Sequence, residues 1–107
     1  MPKYLIQFTY SDAALAELVR HPEDRGAVIS ELFERLGGKV EAFHHSLGQY
    51  DLVVIAEFPD NETLAAIRFA IRSTGVEKDH QITPLLSREE AVNALKRAGS
   101  SGYQPPS

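Results

Sequence analysis

The segment HHSLGQYDLVVIAEF, His44 to Phe58, joins a turn signal to a run of β-prone residues, and its reading decides the fold. Gly48-Gln49 separates two such runs, and glycine followed by almost any residue suits a two-residue type II′ hairpin turn. Strands are therefore expected over 39–47 and 50–58. In the second strand Leu52, Val54, Ala56 and Phe58 point one way, and Val53 and Ile55 the other. A sheet with one face in water should alternate apolar and polar residues. This strand does not, so both faces of the sheet are expected to be covered.

The remaining elements follow on either side. Residues 3–10, KYLIQFTY, read as a strand with Tyr4, Ile6 and Phe8 on one face and Leu5 on the other. Ser11 or Asp12 caps a short helix through Arg20, which Pro22 ends by forcing His21 out of the helical region. From about Glu23, the spacing of Val28, Ile29, Leu32, Phe33 and Leu36 predicts an amphipathic helix, and Gly37-Gly38 stops it. After Pro59-Asp60, a helix is expected over 61–74 with Leu64, Ile67, Ala70 and Ile71 inward and Gly75 at its end. Residues 76–85 read as a fourth, more polar strand. Ser87 to Glu90, SREE, is a capping box for a last helix ended by Gly99. The order β-α-β-β-α-β-α is that of an α+β, ferredoxin-like βαββαβ(α) domain with a four-stranded antiparallel sheet. Its two long helices cover one face only. The other face is expected to meet a second copy, giving a homodimer or a higher homo-oligomer. The domain is expected to span 1–98, with 99–107, GSSGYQPPS, a disordered tail.

Composition removes several classes. The net charge is −4 with the basic residues scattered, unlike a nucleic-acid binder with its basic stripe. The third strand also lacks the basic-Gly-aromatic pattern of RNA-binding sheets. There is no cysteine, which excludes disulfides, thiol nucleophiles and Cys-based zinc sites. No secretory signal and no apolar run of membrane-spanning length is visible, so a cytoplasmic protein without membrane contact is expected. His44 and His45 are adjacent on a strand and point apart. They cannot chelate one ion from one chain, and neither a metal nor a cofactor is expected.

With a two-residue turn, Ser46 faces Asp51 and His44 faces Val53. His44 then lies diagonal to Asp51 on one face, within side-chain reach. A carboxylate beside an imidazole fixes its tautomer and favours its charged form, as a general base or ligand requires. His44 and Asp51 are thus the catalytic candidates. Gln7 and Thr9 from the first strand, with Tyr50, extend the candidate ligand-binding set. The structural alternative is that Tyr50 and Asp51 merely hold the hairpin, since Asx side chains readily bond local backbone.

The stretches MPKYLIQFTY, LGGKVEAF, GQYDLVVIAEFPD and TPLLSREE together resemble the GYD-domain proteins, small bacterial proteins named for a Gly-Tyr-Asp signature. Here the signature residues are Gly48, Tyr50 and Asp51, with Gln49 between the first two. The resemblance spans about residues 1–95 and implies the fold of dimeric α+β barrel proteins. It implies little about function, and the pair His44-His45 is not carried over from it. The leading expectation is an oligomeric module that binds a small molecule between its sheets. The alternative is a cofactor-free or haem-using oxygenase, or an isomerase, with His44 as base or ligand and Asp51 orienting it.

Overall fold

A computed structural model describes residues 1–106. The element order is β1 (Lys3–Tyr10), α1 (Asp12–Arg20), α2 (Arg25–Arg35), β2 (Lys39–His45), β3 (Leu52–Glu57), α3 (Asn61–Arg72), β4 (Glu77–Leu85) and α4 (Arg88–Gly99). The four strands form one antiparallel sheet in the order β2-β3-β1-β4. The expected α+β, ferredoxin-like arrangement is therefore present, with β1 and β3 at the centre. The chain past α4 adds no helix or strand through Pro106, and Ser107, the last residue of the expected tail, lies outside the described residues.

Each helix begins where a short polar side chain meets the free amides of the first turn. Ser11, Asp24, Asp60 and Ser87 each accept a hydrogen bond from the backbone three residues on. Ser87 and Glu90 complete the expected capping box. Asp60 and Glu90 are held below the usual carboxylate range by these bonds to Thr63 and Ser87.

The core lies between the helices and one face of the sheet. Tyr4, Ile6, Phe8 and Tyr10 of β1 alternate inward with Leu52, Val54, Ala56 and Phe58. Ile29 and Phe33 from α2 and Ile67 from α3 close over them. Phe33 meets Phe58 edge-on with ring centroids 5.2 Å apart, a favoured aromatic geometry. Ala70, expected inward, is exposed instead, because α3 leans on the sheet through Leu64, Ile67 and Ile71.

The two glycines after α2 have different tasks. Gly37 has φ +93°, a left-handed conformation that suits glycine at a helix end. Gly38 lies directly beneath the Phe58 ring. A Cβ there would stand 2.7 Å from two ring carbons and 3.1 Å from the Glu57 carbonyl oxygen. Phe58 is fully buried and cannot yield. Gly38→Ala is therefore expected to destabilise the domain by about 1–3 kcal/mol, the usual range for overpacking. Urea titration measures this; a change below about 0.5 kcal/mol would contradict the close approach.

The edges of the sheet are irregular. In β2 the register shifts between Val40 and Ala42, leaving Glu41 as a bulge. Its carboxylate reaches across to Lys3 Nζ at 2.7 Å. β4 carries Pro84, which an edge strand tolerates because one side of its backbone is unpaired.

α4 stands apart from this body. It has no buried residue, and Val92 and Leu95 are 48% and 71% exposed. The radius of gyration is 17.4 Å and the longest dimension 58 Å, whereas a compact chain of this length has a radius of roughly 13 Å. No helix among the described residues is long and apolar enough to cross a membrane.

Candidate functional site

The sheet face turned away from the helices carries the expected apolar residues. Leu5, Ala42, Val53 and Ile55 lie there, each half-buried by its strand neighbours. The pairing across the four strands aligns His44, Val53, Gln7 and Gln81 in one row on this face. His44 opposite Val53 and His45 opposite Leu52 is the register expected from the sequence.

The turn is different from the expected one. The ladder stops at His45 and Leu52, so residues 46–51 form a six-residue connection rather than a two-residue turn. One hairpin bond persists, from the Ser46 amide to the Asp51 carbonyl at 2.8 Å. Asp51 is otherwise drawn to β1. Its amide donates to the Phe8 carbonyl at 3.0 Å, and its carboxylate accepts from the Tyr10 amide at 2.9 Å. Ser46 Oγ accepts from the Gly48 amide, which rounds the connection into a local turn. These bonds satisfy more backbone than a tight turn would, and they tie the loop to the central strand.

The loop then folds over the open face. Thr9 Oγ1 donates to the Gln49 carbonyl at 3.3 Å, and the Tyr50 hydroxyl crosses β1 to Gln81 Oε1 at 3.1 Å. Four of the five candidate ligand-binding residues, Gln7, Thr9, His44 and Tyr50, thus share one end of one face. Asp51 joins them through the backbone of Tyr10. Its carboxylate makes no bond with His44, which is exposed. Gln81 was not among the candidates; pairing β4 with β1 would have placed it beside Gln7. Leu47, at the loop tip, is fully exposed.

Two polar features lie on the helix side. Arg68 of α3 donates to Glu77 Oε1 at 2.7 Å and to His80 Nδ1 at 2.9 Å. The His80 ring therefore carries its proton on Nε2. Arg68 and Glu77 are largely shielded from solvent, and truncating either would leave a partly buried charge alone. The second feature is Tyr10. Its hydroxyl is buried and has no hydrogen-bond partner among the described residues. Burial pushes the phenol above its ordinary value, and Arg25 partly opposes this.

An orphaned buried hydroxyl costs stability, so Tyr10→Phe is expected to stabilise the domain by about 1 kcal/mol. The effect has a sign with pH. The raised phenol keeps its proton after the unfolded chain has lost it, so stability falls as pH rises through the phenol range. Tyr10→Phe should remove that part of the alkaline loss. Thermal unfolding at neutral and alkaline pH checks both; a destabilised variant would mean that the hydroxyl has a partner.

Among the described residues no three His, Asp or Glu side chains gather as metal ligands would. The model of the GYD domain family matches residues 4–95. A protein of Thermus thermophilus named glutamine synthetase and cystathionine β-lyase binding protein is 33% identical over 78 residues, 73% of this chain and 82% of that protein. Two crystal structures are similar. FFRP-DM1 is 18% identical, with 80% of this chain and 100% of that one covered and a TM-score of 0.49. A structural-genomics protein of Agrobacterium tumefaciens is 15% identical, with 84% and 97% covered and a TM-score of 0.50; it supports the fold alone.

Proposed function

The chain belongs to the GYD domain family, and from that premise and its bare apolar surfaces we propose that it is a self-associating binding module whose targets are other proteins. The observation that carries this reading is the pair of uncovered surfaces. Leu5, Val53 and Ile55 stand on a sheet face without a helix over it, and α4 keeps Val92 and Leu95 in the open. An isolated helix of 12 residues is marginal in water, so α4 needs packing that its own domain does not supply. A second copy offers both missing covers in equal number, and a two-fold arrangement of sheet on sheet uses the same patch twice. The Thermus relative is named as a binder of two enzymes, which supports protein targets for the surfaces that self-association leaves free. Leu47 at the loop tip is one such anchor.

The geometry supports binding over catalysis. A base at His44 would need an orienting carboxylate, and Asp51 is engaged by the Tyr10 amide. A small polar ligand held between the sheets is the second reading, favoured by the row of His44, Gln7 and Gln81 under the Tyr50 bond. The test for protein targets uses purified glutamine synthetase and cystathionine β-lyase from the same source as this chain. Immobilised wild-type protein is expected to retain at least one with a micromolar or tighter Kd, and Leu47→Asp to weaken it about tenfold or more. Neither enzyme being retained would remove this target class.

A further inference from the structure

A cavity of about 210 Å³ opens between α1, α2 and the helix-side face of the sheet. Its walls include Phe8, Leu18, Val28, Ile29, Leu32 and Ile71, all apolar. Tyr10 also lines it, and this residue is only 7% exposed. The cavity is larger than the roughly 150 Å³ that suffices to hold benzene in an apolar interior. A site of this kind, an apolar chamber with one or a few polar groups, is the usual form of a small-molecule pocket. The hydroxyl of Tyr10 has no partner among the described residues, and native proteins seldom leave such a group unpaired. The charges at the rim are already matched: Arg25 bonds Glu23 at 2.7 Å and Arg20 bonds Glu17 at 2.8 Å. An ionic ligand would find no free counter-charge there.

We propose that this pocket binds a small neutral molecule with an apolar body about the size of one substituted ring and a single hydrogen-bonding head that pairs with the Tyr10 hydroxyl. The pocket faces the helices, away from the sheet face assigned to self-association. Its occupancy is therefore independent of the oligomer and of any protein target.

Two probes isolate the role of the head group: 4-ethylphenol and ethylbenzene, which differ by one hydroxyl. Each is titrated into the full chain up to its solubility, with calorimetry and ligand-observed NMR as readouts. The wild-type protein is expected to bind 4-ethylphenol about fivefold or more tightly than ethylbenzene, since one neutral hydrogen bond contributes on that order. Tyr10→Phe should retain ethylbenzene and lose the preference. Val28→Trp, on the half-exposed rim, should weaken both probes about tenfold or more by filling the chamber. Should Val28→Trp not fold, the Tyr10→Phe comparison decides alone. No binding of either probe by folded wild-type protein would overturn the proposal. So would an equal affinity for the two probes, or a preference for 4-ethylphenol that survives in Tyr10→Phe.

Discussion

Val53→Asp is expected to reduce the protein to single 11.9 kDa chains at concentrations where the wild type is a dimer or larger. Val53 sits mid-strand on β3, flanked in its row by Gln7 and His44. In a lone chain it is half-exposed, so a carboxylate there meets water and the fold survives. Between two sheets the same carboxylate has neither water nor a counter-charge, and an uncompensated buried charge costs several kcal/mol. A two-fold interface places one such charge on each copy, so the loss is doubled and association should weaken by well over ~100-fold. Sedimentation velocity at about 10 μM, with circular dichroism to confirm the fold, reads the result. His44→Ala, at the exposed end of the same row, should leave the oligomer size unchanged. A wild type that sediments as one chain, or a variant that sediments like an oligomeric wild type, would refute the covered face.

The second large effect concerns the single chain. Phe33→Ala is expected to destabilise the domain by about 3–5 kcal/mol, the usual cost of emptying an aromatic site in a core. Phe33 is 2% exposed and lies edge-on to Phe58, which is wholly buried. Phe58 also rests on Gly38, so the ring cannot slide into the space that Phe33 leaves. The site collapses poorly, and the cost should lie toward the upper end of the range. Against a total stability of about 5–15 kcal/mol, the midpoint of thermal unfolding should drop by roughly 15–30 °C. A loss under about 1.5 kcal/mol would mean that α2 is held by something other than this stack.

Much of the fold was legible because its signals are local and repeated. Period-two patterning in β1 and β3 gave both the strands and the two-sided apolar sheet, and the capping residues gave the helix starts. Even the pairing of His44 with Val53 was readable, because the residues next to the turn set the register. The turn itself was misread. Gly48-Gln49 satisfies a two-residue turn locally, but the pull on Asp51 comes from Phe8 and Tyr10, some 40 residues earlier. No window around the turn contains that competition. The same holds for Tyr50, whose partner Gln81 lies two strands away, and for Arg68, Glu77 and His80, which meet only when α3 lies along β4. The detachment of α4 was equally hidden, since an amphipathic stripe such as Ala91, Val92 and Leu95 reads the same whichever chain it packs on.

The irregular outer strands bear on how copies of this chain meet. A strand with a regular unpaired backbone invites another to join it side by side, and such growth has no natural stop. Here the bulge at Glu41 bends one border, and the imino acid at Pro84 removes a donor from the other. Lateral addition is discouraged at both, so the chain is directed away from fibrils and toward a stacked, self-limiting particle.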